Sequence, residues 1–397
     1  MHTAVRPGIA GPTAHPDLPT IWPWSSLDHP EALLQRGQEA MERRDHRTAA
    51  HLFALAGGMS LPDERAATRW MNRAVRQLIP RWHFAMLNDE ARNEAYRAAI
   101  ASAVRPGDVV LDIGTGAGLL ALFAAAQGAE LVVTCEVEPL LAAVARRVIA
   151  DSGLGNRIRV VEAHSTELRV GIDLPRRADV LVSEIFDCAL LGEGALPAFG
   201  HARQSLLRQG AVMVPGRGRL LGQLVESSAL YACNSVSTVS GFDLSVFEQF
   251  RSLEYFSTYV SNYPHRMLSE PFVIFDFDFH SDEVPVRCEL EIPVTSTGTC
   301  HAVVMWFELD LAPGIVHSNG IDQSGTHWRQ AVQTFRAPVA VTAGSQARVT
   351  AAHDHERVLV WPSAGPFIDL PRTFGRARPG RTPTNEASSG RQPRGAM

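Results

Sequence analysis

The segment that most constrains this chain lies between residues 104 and 214, where short apolar runs alternate with helical ones. Val109–Ile113, Leu131–Cys135, Ile158–Val161 and Val180–Ser183 read as strands, and Leu119–Gln127 and Pro139–Asp151 as helices. Strands separated by crossover helices must run parallel, so the rhythm predicts an α/β fold with a Rossmann-like, doubly wound sheet. The first strand runs into a turn carrying Gly114, Gly116 and Gly118. Glycines there let a ligand approach the backbone closely. Glu136, at the end of the second strand, is placed to accept hydrogen bonds from both hydroxyls of a ribose.

Beyond Pro215 the rhythm changes. Leu220–Val225, Phe272–Phe279, Val286–Val294, Ala302–Leu311, Arg329–Phe335, Ala347–Ala351 and Arg357–Trp361 read as strands with few helices between them, which predicts a β-barrel or sandwich over 215–370. An insertion at about 229–260 reads as helical. Residues 28–80 show helical spacing, with Leu33, Leu34, Gly37, Ala40, Ala49, Phe53 and Ala56 placed as in one tetratricopeptide repeat. A single repeat cannot bury its own apolar face, so these helices are expected to dock on the nucleotide-binding domain at 81–214. Residues 1–27 and the Arg-, Gly-, Pro- and Ser-rich stretch 371–397 are expected to be disordered.

Composition narrows the class of function. A formal net charge of −5 gives no basic excess of the kind a nucleic-acid binder carries. No apolar run is long enough to span a membrane. Five cysteines without a C-x-x-C pair suggest neither a disulfide framework nor a metal site, and reduced thiols fit a cytoplasmic location. All 37 basic residues are arginine. We read the absence of lysine as the codon bias of a GC-rich, bacterial genome.

The glycine turn separates two cofactor classes. A dinucleotide fingerprint needs G-x-G-x-x-G, whereas this turn is G-x-G-x-G followed by Leu119. Asp112, just before the first glycine, suits a cofactor that carries an ammonium and a sulfonium. The pattern therefore favours S-adenosylmethionine, with Asp112, Gly114, Gly116 and Glu136 around it.

A second motif sits after the fourth strand, in Ser183-Glu184-Ile185-Phe186-Asp187-Cys188-Ala189-Leu190-Leu191-Gly192-Glu193-Gly194. Glu184 falls at the carboxyl edge of the sheet, where open α/β folds bind ligands. Glu193 follows after an apolar loop. Two carboxylates brought together repel each other, and one is driven neutral. A guanidinium between them removes that conflict, because its planar fork presents donors to both.

This loop resembles the double-E loop of the protein arginine methyltransferases. Other segments extend the resemblance over most of the chain. His83-Phe84-Ala85-Met86-Leu87-Asn88-Asp89 with Arg92-Asn93 is similar to the family's N-terminal helix. Thr326-His327-Trp328 is similar to its THW loop, and Ser240-Gly241-Phe242-Asp243-Leu244-Ser245 to its dimerisation arm. The resemblance implies a class I methyltransferase sheet, a β-barrel and a homodimer. It implies that His83, Arg92, Ser165 and Thr166 join the cofactor site, that Met86 and Trp328 line the acceptor site with Asp187 behind them orienting the loop or His327, and that Glu184, Glu193 and His327 are catalytic. The loop details, with His164-Ser165-Thr166-Glu167, look closest to the monomethylating and symmetrically dimethylating branches. The asymmetric enzymes carry a Tyr-Phe-x-x-Tyr helix where this chain has residues 74–80 without a tyrosine.

Three readings follow. The chain is a bacterial enzyme that monomethylates free L-arginine, as in the biosynthesis of streptozotocin-type nitrosoureas; or it acts on peptide arginines; or it is a scaffold on an inactive methyltransferase fold. The scaffold reading predicts the loss of Asp112, Glu136 or a loop glutamate, and all are present. Taken singly, Glu184 would read as a solvated strand-end carboxylate and His327 as a packed histidine. Cys188 reads as a small packing residue.

Overall fold

The computed structural model describes residues 30–57, 64–323 and 326–363. The expectations for 1–27 and 371–397 lie outside the described residues. Three helices come first: α1 (Pro30–Glu42), α2 (His46–Gly57) and α3 (Glu64–Leu78). Phe53 is fully buried among them and stacks on Trp70 with ring centroids 5.9 Å apart. Their apolar face extends to Leu140, and Arg47 reaches Glu138 at 3.0 Å. The helices are thus docked on the α/β core.

The short helix α4 (Trp82–Leu87) and α5 (Glu90–Ala103) lead into the sheet. Its strands are β1 (Val109–Ile113), β2 (Leu131–Glu136), β3 (Ile158–Glu162), β4 (Ala178–Ser183) and β5 (Leu207–Val214), crossed by α6 (Leu119–Ala126) and α7 (Pro139–Asp151). All pair in parallel in the order β3-β2-β1-β4-β5. Every residue of β1 and β4 is buried, as expected of central strands covered on both faces. The order reverses between β1 and β4, which opens a crevice beyond their carboxyl ends, next to Gly114 and Glu184. The edge strand β5 is absent from the sequence reading, because Arg208, Gln209 and Gly210 are exposed and break its apolar run.

After α8 (Ala195–His201) and β5, the chain becomes almost entirely β. The strands β6 (Arg217–Glu226), β9 (Phe256–Thr258), β10 (Arg266–Met267), β11 (Phe272–Asp278), β13 (Gly298–Ala312), β14 (Ile315–Ser318) and β15 (Gln330–Val341) form one sheet. A second sheet holds β12 (Arg287–Pro293), β16 (Gln346–His353) and β17 (Val358–Pro362). Both sheets share one core with the α/β half. Phe186 of the loop after β4 seals the junction, packing edge to face on Phe199 at 5.9 Å and stacking on Phe279 at 6.1 Å. That junction fixes the loop against two layers at once.

The insertion expected to be helical has little helix in it. Only α9 (Ser228–Ala232) is α-helical. The rest holds a short hairpin, β7 (Thr238–Val239) with β8 (Phe242–Asp243), a 3₁₀ turn over Ser245–Phe250, and β9. Ser240 and Gly241 both have positive φ, which turns the chain where a helix would have continued it. Phe242, Val246, Phe247 and Phe250 stand exposed on this arm. Among the described residues, no helix is long and apolar enough to cross a membrane.

Candidate active site

An open cleft with a cavity volume of about 330 Å³ lies at the carboxyl ends of β1, β2 and β4, under α4. His83, Met86, Arg92, Gly114, Gly116, Glu136, Ser165, Glu184, Glu193 and Trp328 all line it. These residues come from six separate segments, and the sequence reading had named every one of them. Four other expected site residues do not line the cleft. Asp112 is buried beneath the glycine turn, Thr166 is exposed and hydrogen-bonded to His164, His327 is held by Asp89, and Asp187 is held by its own loop and Tyr255. The Asp187 carboxylate is taken up by the Ala189 and Gly192 amides of its own loop and by the Tyr255 hydroxyl. Thr166 likewise falls outside the cofactor wall, because the His164 ring bonds both its amide and its hydroxyl.

The β1–α6 side is built from local backbone geometry. Gly114 and Thr115 donate to the Cys135 carbonyl at 3.1 and 3.0 Å, tying the turn to β2. Gly114 has φ +88°, and a Cβ there would stand 2.6 Å from Ile185, so the turn tolerates no side chain. Glu136 accepts from the amides of Gly116 and Glu138, each at 3.0 Å. These bonds aim its carboxylate along the cleft wall and leave lone pairs for further donors. Asp112 accepts from Thr134 Oγ1 at 2.7 Å, while its other oxygen has no partner. Burial raises this carboxyl to about 7, against the hydrogen bond from Thr134 and the nearby Arg92 charge.

The β4 side is assembled from distant segments. Arg92, nearly buried, pairs with Glu184 at 2.5 Å and also donates to Asn93. Burial opposes its charge, but Glu184 outweighs that and holds the guanidinium above its ordinary value. Arg92 Nε and Glu184 Oε1 remain without partners. Glu193 reaches the same cleft from the far end of the loop. Its carboxyl is pushed up to about 8, first by desolvation and then by the negative charges of Glu184, Asp187 and Glu136. Glu193 is exposed to solvent, so the crowd of carboxylates around it, more than burial, is what favours the neutral acid.

Asp89 organises the third wall, and sequence gave it no role. It caps α5 by accepting from the Arg92 amide at 3.0 Å. Its other oxygen accepts from the His327 amide at 2.9 Å, His327 Nδ1 at 2.8 Å and Thr326 Oγ1 at 3.1 Å. Burial pushes Asp89 up, but these bonds prevail and lower it below its ordinary value. A charged Asp89 makes His327 Nδ1 the donor in this bond. The capping position of Asp89 is visible in Asn88-Asp89-Glu90, but its partner 238 residues away is not. Tyr255 and Tyr259, which reach the two acceptor loops, gave no sequence signal either.

The cleft fits S-adenosylmethionine. Orphaned Arg92 Nε is a cationic donor for a carboxylate, Glu136 is an anchored acceptor for ribose hydroxyls, and the glycine turn leaves the backbone bare. Comparison with known proteins agrees. Residues 223–359 match the model of the arginine methyltransferase oligomerization subdomain, and residues 97–192 that of ribosomal protein L11 methyltransferase (PrmA). An arginine N(omega)-methyltransferase of Streptomyces achromogenes subsp. streptozoticus is 40% identical, over 79% of this chain and 86% of its own length. Protein arginine N-methyltransferase 7 of Oryza sativa subsp. indica is 39% identical, but this chain spans only 36% of it. The fold matches the Trypanosoma brucei PRMT1 enzyme–prozyme complex with AdoHcy, at a TM-score of 0.62 and 23% identity over 70% of this chain and 89% of that one. The extent of the 40% match, on top of the paired glutamates and the cofactor cleft, shows that the chain belongs to the protein arginine methyltransferase family of S-adenosylmethionine-dependent N-methyltransferases.

Proposed function

We propose that this enzyme methylates the guanidinium of free L-arginine in a bacterial biosynthetic pathway and releases mainly Nω-monomethylarginine. One observation carries the guanidinium reading: Glu184 and Glu193 face one cleft, one with an unpartnered buried oxygen, the other driven towards its neutral form. A planar cation between them satisfies both. Free arginine is favoured by the extent of the match to the Streptomyces relative, set against the partial match to the larger protein methyltransferases. Monomethylation is favoured by residues 74–80, which carry no tyrosine where the asymmetric enzymes have a Tyr-Phe-x-x-Tyr helix.

The residue roles follow from the geometry. Glu136 holds the ribose, Arg92 the cofactor carboxylate, and Ser165, Gly114 and Gly116 line the remaining wall, with His83 and α4 above. When bound, S-adenosylmethionine supplies an electrophilic methyl on a sulfonium. Glu184 and Glu193 hold the acceptor guanidinium in plane, and Met86 and Trp328 close the apolar sides. Such positioning of two reactants is worth roughly 7–11 kcal/mol over free encounter. The carboxylates draw positive charge to the nitrogens they contact and leave the third richer in electron density. Glu193, which lines the cleft, accepts the proton that the methylated nitrogen loses. The exposed phenylalanines of the arm, together with the matched oligomerization subdomain, support a homodimer.

The test is mass spectrometry of parallel reactions with free L-arginine, agmatine and an Arg-Gly peptide. Methylated free arginine with little turnover of agmatine, which lacks the α-carboxylate, supports the proposal. Efficient methylation of the peptide alone overturns the free-arginine part. Abundant asymmetric dimethylarginine overturns the product assignment.

A further inference from the structure

The segment that leaves the arm, Tyr255 to Val260, touches both acceptor loops. Its backbone forms β9, which pairs with β15 through Phe256–Val332, Ser257–Ala331 and Thr258–Gln330. The Val260 amide donates to the side chain of Gln330 at 3.2 Å, and Gln330 in turn donates to the Asn319 carbonyl at 2.9 Å. This anchorage leaves two tyrosines reaching outward. Tyr259 donates its hydroxyl to the His327 carbonyl at 3.1 Å. Tyr255 donates its hydroxyl to Asp187 Oδ2, inside the loop that carries Glu184 and Glu193.

Asp187 is the internal pin of that loop. Its Oδ1 accepts from the Ala189 amide at 3.1 Å and the Gly192 amide at 2.9 Å, so the carboxylate grips the chain next to Glu193. Burial raises the Asp187 carboxyl, and the Tyr255 hydroxyl and the two amides act against that rise. Remove the hydroxyl and a half-buried carboxylate oxygen loses its donor. The pin then either shifts to find water or takes up a proton, and in both cases the Glu193 end of the loop is freed.

We infer that Tyr255 is a positioning residue for the acceptor clamp: its bond to Asp187 ties the return strand of the arm to the loop carrying Glu193. The same strand steadies His327 through Tyr259, so both acceptor loops are referred to one element. None of these contacts reaches Glu136, the glycine turn or Arg92. The acceptor side therefore depends on Tyr255 and the cofactor side does not.

The inference rests on the clamp reading above. Turnover of L-arginine by the unmodified enzyme tests that reading, and the ratios below test only this one. Y255F, D187N and the double variant are compared in the full-length enzyme for kcat and KM towards arginine, S-adenosylmethionine affinity by calorimetry, and melting temperature. Loss of a hydrogen bond to a half-buried charge predicts a fall in kcat/KM of about ten- to a hundred-fold for Y255F, with cofactor affinity within about twofold. D187N, which keeps an acceptor for the loop amides, should fall less. The double variant should be no worse than Y255F by more than about twofold, because both changes act on one bond. Unchanged kcat/KM in Y255F overturns the inference. So does a parallel loss of cofactor affinity, which would mark a general structural role. Should Y255F fail to fold, D187N decides: cofactor affinity kept with arginine turnover lowered supports the tie, and full turnover removes it.

Discussion

The two sides of the cleft are built in opposite ways. The cofactor side is local: the glycine turn, Glu136 and Glu138 lie within 25 residues, and Glu136 is anchored by backbone amides on both oxygens. The acceptor side is gathered from Asp89, Glu184, Glu193, Tyr255 and His327, and its two cleft-lining carboxylates are left to a ligand, Glu184 with an unpartnered oxygen and Glu193 raised to about 8. A preorganised wall binds its ligand with little rearrangement. A wall with surplus negative charge is completed by its ligand. Arg92 stands between the two, paired with Glu184 on one side and presenting Nε on the other.

The sharpest way to break this contrast is to alter one side and read the other. E193Q and E184Q keep size but put an amide NH₂ where the guanidinium donors point. Losing a charged partner in a desolvated site costs about 2–5 kcal/mol, so kcat/KM for arginine should fall roughly thirty-fold to several-thousand-fold. E193Q should leave cofactor affinity unchanged. E184Q releases Arg92 and should leave that affinity equal or higher. Calorimetry showing a large cofactor loss in E193Q would merge the two sides into one.

The converse change is E136A. It removes the acceptor anchored by Gly116 and Glu138, and cofactor affinity should drop about ten- to a hundred-fold while the protein melts near its original temperature. A titration with unaltered affinity would show that Glu136 is not the ribose acceptor.

The smallest effect is in pH dependence. Glu193 is mostly neutral in the free enzyme below about 8, and the clamp needs its carboxylate. The kcat/KM for arginine should therefore rise with pH through about 8 and flatten above it, since this ratio reports the free enzyme. E193Q should lack that limb. A profile that is flat between pH 6 and 9 in the unmodified enzyme would contradict the assignment of the raised carboxyl.

The same contrast explains what could be read from the sequence. The βαβ rhythm, the glycine turn and Glu136 are legible because each depends on residues near it in the chain. The glutamate pair was legible because one loop carries both. Asp89 was not, since its cap is local but its bonds to Thr326 and His327 are made by the fold. Asp187 was legible as a residue that orients its loop, since it sits inside the turn whose amides it holds, but its partner Tyr255 was not, being brought there only by the fold. The arm was misread as helical because its apolar spacing reflects an exposed face rather than a helix packed on a core.

The central claim is that the cleft receives an arginine guanidinium between two glutamates. Its most direct test is product analysis of L-arginine incubated with S-adenosylmethionine and either the unmodified enzyme or E193Q at equal concentration and saturating cofactor. The account predicts methyl on a terminal guanidino nitrogen with the unmodified enzyme, and almost none with E193Q although cofactor is still bound. Comparable methylation by E193Q, or methyl found on the α-amino group instead of the guanidinium, would contradict it.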